Sequence, residues 1–240
     1  MKKLTFLCVA MISAIVLLSS FKAWNERIIG SGNVKSEKRT AGKFNQISAG
    51  GVFKIELTQG ATESIKLEAE DNILPLIETE VSSGGLEIRM KKGYSISPNK
   101  DIKVYVTLPE LKRLSISGAS KLNATNSFKG DRLNIDQSGA STITMDLAVS
   151  NLDLEISGAA LLDLSGKTGG MNIGASGGAR VHTADLRAET AKVGASGGAD
   201  VIVNAAKSLS ASLSGGARVK YKGTPEVQKS TSGGASVTKY

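Results

Sequence analysis

The sequence contains almost none of the side chains from which disulfides, thiol enzymes and most metal sites are built. Its 240 residues include one cysteine, Cys8, and one histidine, His182. One cysteine cannot form an internal disulfide, and one histidine cannot by itself hold a metal ion. We therefore expect no disulfide framework and no catalytic, cofactor-binding or metal-ligating residue.

Aromatic side chains and clusters of one charge sign are also scarce. Aromatic residues make up 4% of the chain, and its 30 lysines and arginines are interspersed with 22 acids. Such a surface offers neither a stacking platform for bases nor a basic stripe for a phosphate backbone. We therefore expect no nucleic-acid partner, whereas a weak attraction to anionic polysaccharide or lipid stays open.

The first 23 residues have the pattern of a secretory signal peptide. Lys2 and Lys3 precede an apolar run from Leu4 to Leu18, and Ala23 offers a small residue for cleavage. The run is shorter than the roughly 20 apolar residues of a membrane-spanning helix. We predict export to the periplasm, the outer membrane or the extracellular space, with membrane contact only through residues 1–23. An uncleaved anchor is the alternative.

One short phrase recurs seven times in the second half of the chain, and we term it the corner phrase. Each copy is a serine, a glycine and two further residues that are glycine, alanine or serine. The serines are separated by 21, 19, 19, 20, 18 and 18 residues. A repeat of this length is typical of a solenoid, in which each coil stacks on the last. The seven serines are Ser117, Ser138, Ser157, Ser176, Ser196, Ser214 and Ser232.

Alignment of the seven corner phrases shows columns of residues that alternate between polar and apolar. The residue four before each serine is polar, and the residue five after it is always a branched aliphatic. Such alternation is typical of a strand with one buried face and one face in water. Each coil is predicted to run as strand, corner, strand and looser turn, with the aliphatic column inside. That column contains Leu122, Ile143, Leu162, Val181, Val201, Val219 and Val237.

The glycine of each corner phrase indicates a sharp bend, because glycine takes a positive φ without a Cβ clash. Stacked coils would place the serines about 4.8 Å apart, where their hydroxyls can bond to one another or to turn amides. A nucleophilic role is disfavoured, since nothing resembling a nucleophile elbow surrounds the serines and His182 alone cannot serve seven of them. We interpret the serines as structural.

The region before the repeats is less regular. Residues 24–43 are predicted to be a linker or a loose first strand, and alternating apolar residues begin at Phe44. Asn72–Glu78 breaks the alternation and indicates one helical turn or a loop. Ser48–Gly51 and Ser83–Gly85 resemble the corner phrase, which favours further coils in this region.

These patterns predict an all-β, single-domain parallel β-helix over residues 44–240, with coils of 18–21 residues. Residues 44–110 would form irregular first coils, and residues 111–240 the seven regular repeats. A small separate β-sandwich over 44–110 is the alternative.

Several segments together resemble the head GIN domain family of auto-transporter adhesin-like proteins, best known from secreted Bacteroidetes proteins. The matching features are Gly30–Asn33, Phe44-x-x-Ile47 followed by Gly50–Ile55, Asn72–Pro75 and the corner phrases. The resemblance covers roughly residues 30–240. It implies a β-solenoid outside the cytoplasm with an adhesive or surface role, and it carries over no catalytic residue.

Four outward-facing residues are the candidates for an enzymatic surface. Asp136 and Glu155 each lie two residues before a corner serine, and Asp163 and His182 each lie six residues after one. Stacking would make each pair neighbours, as carboxylate-based cleavage of polysaccharides requires. Glycine follows Asp136 and Glu155 in the next two coils, so we interpret all four residues as solvated. The Gly-Gly pairs also lack the aspartate spacing of calcium-binding coils.

Three hypotheses for function follow. We favour a non-enzymatic, secreted or envelope-associated solenoid that binds a glycan, an envelope component or a surface protein through a flat strand face. The alternatives are a stacked-coil polysaccharide lyase or hydrolase, and a structural spacer or self-assembly module. No cofactor is expected. We further expect the last coil to pair with a second subunit unless Lys239 and Tyr240 discourage stacking.

Overall fold

Parallel strands stacked in register build most of the molecule, and the predicted β-helix is confirmed. The structure is a computed structural model that describes residues 27–40 and 42–240. The predicted signal peptide, residues 1–23, lies outside the described residues, and so does Cys8. Within the described ranges, no helix is long and apolar enough to cross a membrane.

The described chain contains nineteen strands and a single turn of 3-10 helix, Leu74–Leu76, inside the segment predicted as a helical turn or loop. The strands are β1 (Arg27–Ile29), β2 (Val34–Arg39), β3 (Gln46–Gly51), β4 (Phe53–Gln59), β5 (Ser64–Glu70), β6 (Ile77–Ser82), β7 (Gly85–Met90), β8 (Ser95–Ser97), β9 (Ile102–Leu108), β10 (Arg113–Gly118), β11 (Lys121–Ala124), β12 (Phe128–Gln137), β13 (Thr142–Ile156), β14 (Leu161–Ala175), β15 (Arg180–Ala195), β16 (Asp200–Leu213), β17 (Arg218–Lys222), β18 (Glu226–Thr231) and β19 (Ser236–Lys239).

The aliphatic column is the centre of the core, as predicted. Its seven members pair in sequence from coil to coil, beginning with Leu122 opposite Ile143 and ending with Val219 opposite Val237. From Leu122 to Val219 the exposed fraction of each residue is 2% or less, and Val237 is partly buried against the same cluster. Full burial of a side chain of this size contributes about 1.5–3 kcal/mol.

The corners depend on glycine for two reasons. Gly139 has a φ of +76°, and the other six corner glycines have values between +70° and +76°. A Cβ on Gly139 would also lie 2.5 Å from the carbonyl oxygen of Gly118 in the coil before. That oxygen accepts a 2.9 Å hydrogen bond from the backbone N–H of Ala140. The corner glycines thus allow both the turn and the close stacking of backbones.

A second irregularity, which we term the bend, interrupts the strand pairing of each coil seven residues before the next corner serine. At the bend, one residue in each coil has no partner in the pairings of β12 with β13, β13 with β14 and β14 with β15. These unpaired residues are Asp131, Ser150, Gly169 and Glu189.

Differences in coil length are absorbed on the approach to the bend and around it. The coil from Ser176 to Ser196 is two residues longer than the one from Ser196 to Ser214, since their serines are 20 and 18 residues apart. The register of β15 with β16 shifts between Thr183 and Arg187 and again between Ala188 and Thr190. The corner and the aliphatic column keep their register in every coil.

The N-terminal layers are not stacked in chain order. The coil made of β3 and β4 lies in the middle, since β10 and β11 pair with it on one side and β7 and β9 on the other. Gly50 of this coil pairs with Ser117, and Gly51 pairs with Gly118. The Ser48–Gly51 segment therefore does contain a corner, but Gly50 rather than Ser48 occupies the position of the serine.

Antiparallel strands close the N-terminal end of the stack. β2 pairs with β5, β5 with β9 and β6 with β7, all in antiparallel fashion. Ser83 and Gly84, with φ values of +50° and +78°, are the two central residues of the β6–β7 hairpin. Positive φ at both positions is typical of a type I′ turn. Ser83–Gly85 is therefore a hairpin turn and not a corner of the solenoid.

The Gly30–Asn33 turn encloses a buried carboxylate. Glu70 is 1% exposed, and one of its carboxylate oxygens accepts a hydrogen bond of 2.6 Å from the Gly32 N–H. The other oxygen accepts from the backbone N–H groups of Asn99 at 2.9 Å and Lys100 at 3.3 Å. Three donors satisfy the buried charge, as burial requires. Glu70 therefore ties the N-terminal turn to the segment after β8.

Close packing around this carboxylate explains the glycine at the start of the turn. A Cβ on Gly30 would collide with the Glu70 carboxylate. The Asn99 side-chain amide donates to the Gly30 carbonyl at 2.6 Å, and the Asn72 amide donates to the Ile29 carbonyl at 2.7 Å. The Gly30–Asn33 turn and Glu70 therefore form a structural clamp, which holds the N-terminal turn against the segment after β8.

We predict that Gly139→Ala lowers the free energy of unfolding by about 2 kcal/mol or more. An L side chain at this φ costs about 1–2 kcal/mol, and the Gly118 carbonyl must also move. Gly130→Ala is the matched control, because Gly130 has no heavy atom within 4 Å of a Cβ and its φ is not positive. Denaturant unfolding followed by circular dichroism measures both. Equal midpoints for the two variants would contradict the role of the corner.

We also predict that Glu70→Gln destabilises the fold by about 2 kcal/mol, the scale of a hydrogen bond to a charged group. Either orientation of the amide turns its NH₂ toward a backbone N–H donor. Glu56→Gln is the control, since Glu56 is exposed on β4 and has no ion pair among residues 27–40 and 42–240. Thermal unfolding is the measurement, and a loss no greater than that of Glu56→Gln would refute the clamp.

Candidate functional site

The corner serines lie along one edge of the stack, and their backbone N–H groups form hydrogen bonds to the coil before. The N–H of Ser138 donates to the Ile116 carbonyl at 3.0 Å, and that of Ser157 donates to the Gln137 carbonyl at 2.9 Å. The serines stack in file as predicted, but across the described part of the chain their hydroxyls form no hydrogen bond to one another or to turn amides. The serines leave a row of hydroxyl groups at the corner edge.

The structure brings Asp136 and Glu155 together as register neighbours on β12 and β13. The Arg113 guanidinium lies 3.0 Å from a carboxylate oxygen of Asp136, so this charge is compensated. The Glu155 carboxylate lies over Gly174, at one end of a shallow trough of about 490 Å³. The two acids thus have different surroundings, and a glycine and serine floor continues beyond them.

Asp163 and His182 are likewise register neighbours, on β14 and β15. The next residue in their column is Ile202, so the pair is not extended by a third titratable side chain. In the part of the chain that the structure describes, no three His, Cys, Asp or Glu side chains are grouped so as to hold a metal ion.

A concave surface follows the bend across five coils, and we term it the bend groove. Its volume is about 540 Å³. It crosses β12, β13, β14, β15 and β16 where the pairing of these strands is interrupted. The groove is lined by Gly130, Ala148, Val149, Ser150, Lys167, Thr168, Gly169, Arg187, Glu189, Ala206 and Lys207.

Three cations project from the bend groove. Lys167 and Arg187 are exposed and are direct register neighbours on β14 and β15. Neither has an acid within 4.0 Å among the residues described. The third cation, Lys207, forms an ion pair of 2.7 Å with Glu189. The groove therefore holds three positive charges and one negative charge.

The ion pair also affects the titration of the acid. The hydrogen bond from Lys207 and its positive charge, with a smaller contribution from Arg187, hold the pKa of the Glu189 carboxyl below its ordinary value. Both partners are largely exposed, so solvent screens the interaction. Glu189 is thus charged at neutral pH and competes for Lys207 with any incoming anion.

The floor of the bend groove is formed by small and apolar groups. Val149 is 7% exposed, and Ala148 and Ala206 are half-buried beside it. The Thr168 hydroxyl is used internally, since it donates to the Gly170 carbonyl at 3.1 Å. The groove therefore combines an apolar strip with a rim of cations.

The bend groove was not predicted from the sequence, although a signal for it exists. Lys129, Ala148, Lys167 and Arg187 each lie nine residues before a corner serine and form one stacked column. Counting outward from the corner to this distance would have revealed three cations in four coils. Glu189 and Lys207 each lie seven residues before a corner serine, so the same count would have placed them in one column as well.

Comparisons with solved structures agree with the stacked-coil architecture. A protein described as a "putative adhesin" from Bacteroides fragilis superposes with a TM-score of 0.82 at 26% identity, covering 88% of this chain and 98% of its own. A "putative lipid binding protein" from Parabacteroides distasonis gives 0.73 at 22% identity, covering 90% and 100%. A "putative adhesin" from Parabacteroides merdae gives 0.74 at 20% identity, covering 89% and 99%. The latter two likenesses concern the fold alone.

The search of curated proteins found no match. A family model described as "Putative auto-transporter adhesin, head GIN domain" matches residues 43–225, which include the β3–β4 coil, the six corners from Ser117 to Ser214 and the whole bend groove. This match confirms the resemblance drawn from the sequence. The chain belongs to the head GIN domain family.

Proposed function

We propose that this protein is an exported, non-enzymatic adhesin-like module that binds a glycan, an envelope component or a surface protein through the outer faces of its coils. The observation that carries the proposal is the long, regular outer surface of β13 to β16. These strands have 14 to 16 residues each and repeat their outward columns coil after coil. An extended surface of this kind suits a polymeric or repetitive partner.

The family supports the same proposal. The matching family model and the Bacteroides fragilis neighbour both carry the word adhesin in their descriptions. Adhesion requires a position outside the cytoplasm, which agrees with the signal peptide predicted for residues 1–23. We place the protein in the periplasm, at the outer membrane or in the extracellular space.

The surroundings of the candidate acids favour binding over cleavage. Asp136 is paired with Arg113, and Glu155 faces the glycine floor of a shallow trough. Cleavage of a glycosidic bond by two carboxylates needs one of them held as an acid and both aimed at one bond. Asp136 and Glu155 lack such a common cleft, so a non-covalent partner fits this surface better.

We predict that the protein without residues 1–23 is retained on envelope fractions or on a glycan array and leaves the bound glycan unchanged. Binding is measured by surface plasmon resonance, and cleavage by new reducing ends or unsaturated products. Asp136→Ala and Glu155→Ala should keep affinity within about threefold, since exposed charges contribute little.

Two results would refute this proposal. Turnover of a polysaccharide that disappears in Asp136→Ala or Glu155→Ala would identify a stacked-coil lyase or hydrolase. Ordered polymers of the protein that ignore every glycan and envelope fraction would identify a spacer or self-assembly module.

A further inference from the structure

We infer that the bend groove binds an anionic glycan, with Lys167 and Arg187 as the primary contacts for its acidic groups. This inference rests on the proposed function and specifies the ligand class and the place where it binds. Three properties of the groove support it: its charge, its shape and its position in the coil.

Two cations in the groove lie side by side, and neither forms an ion pair with an acid among the described residues. Lys167 and Arg187 are direct register neighbours, which places their backbones about 4.8 Å apart. Like charges directly opposite each other in a sheet destabilise the pairing. A carboxylate or sulfate group between them would relieve this repulsion and accept charge-assisted hydrogen bonds from both.

The column that contains these cations runs along the axis of the stack and includes a third cation. Lys129 lies two coils before Lys167 in the same column, with Ala148 between them. The resulting row of positive charge runs across the coils, perpendicular to the strands. A chain with acidic groups at intervals can follow this row, whereas a single small anion would use only one pair.

The shape of the groove favours a chain over a membrane surface. The cations rise from the rim of a concavity whose floor includes Ala148, Val149 and Ala206. Sugar rings present apolar C–H faces and polar edges, which match an apolar floor between cationic walls. A lipid bilayer presents a plane of headgroups, which would touch the rim and leave the floor empty.

The groove lies where side chains can differ from coil to coil without disturbing the packing of the core. Register shifts occur around the bend, while the corner and the aliphatic column stay in register. Irregular surface segments carried by a rigid scaffold are where binding residues usually occur. Glu189 and Lys207 lie in such a segment, and their 2.7 Å ion pair adjusts the charge of the groove.

Isothermal titration calorimetry with the purified protein tests the inference. The probes are oligogalacturonate, which carries carboxylates, dextran sulfate, which carries sulfates, and neutral dextran of matched length. Lys167→Ala/Arg187→Ala removes the two free cations. Lys192→Ala/Lys220→Ala is the control, because both lysines are exposed on other columns and lack an ion pair among the described residues.

We expect at least one acidic probe to bind while neutral dextran does not. The groove double variant should weaken that binding at least about tenfold, as loss of charged hydrogen bonds implies. The control should change it by less than about twofold. Glu189→Gln should tighten binding by about two- to fivefold, because Lys207 is freed. Circular dichroism and unfolding midpoints confirm that the exposed substitutions leave the fold intact.

Four results would overturn the inference. Equal weakening by the two double variants would indicate non-specific attraction to the net charge. Binding to anionic phosphatidylglycerol vesicles through Lys167 and Arg187, with no glycan binding, would indicate a lipid surface instead. Binding to envelope or neutral glycan that ignores the groove variants would overturn this inference and leave the proposed function standing. Absence of any envelope or glycan partner would overturn both.

Discussion

The structure depends on backbone contact between successive corners. The carbonyl of a corner glycine accepts a hydrogen bond from the next coil, as Gly118 does from Ala140 at 2.9 Å and Gly139 from Ala159 at 2.9 Å. This contact needs a positive φ and no Cβ, and it recurs at fixed intervals. When the corners lie directly above one another, the strands on either side of them start in register. Each inward-facing residue then packs against the equivalent residue of the next coil. The dry interior is a consequence of this alignment.

Strict register at the corner leaves the bend free to vary. Coils of 18 to 21 residues close on the same core because the surplus is accommodated near the bend and not at the corner. The irregular side of each coil therefore carries the side chains that need not repeat, including Glu189 and Lys207. The corner repeats in every coil whereas the bend varies. A repeat fold can therefore carry a binding surface that is confined to a few coils.

The sequence predicts the regular coils well, because their columns align on a single phrase. It predicts the first coils less well. The middle position of β3 and β4 arises from pairings between residues distant in the sequence, such as Gly50 with Ser117, and no local pattern encodes it. The hairpin turn at Ser83–Gly85 has the composition of a corner phrase, so only the antiparallel pairing of its strands distinguishes it from a corner.

The candidate carboxylates lie together as expected, but the bend groove was missed because its residues were not aligned to the corner.

Formation of engineered disulfides between coils tests the central claim most directly. Asn172, Lys192 and Ser210 are exposed and occupy one column on successive coils. Neighbours in that column lie about 4.8 Å apart, within the 4.4–6.8 Å that a disulfide requires, whereas alternate members lie roughly 9.6 Å apart. Both double variants carry serine in place of Cys8, are oxidised mildly and are analysed by mass spectrometry of their peptides. Asn172→Cys/Lys192→Cys should form an intramolecular disulfide. Asn172→Cys/Ser210→Cys should not. A bridge in the second pair but not in the first would contradict coils stacked one directly above another.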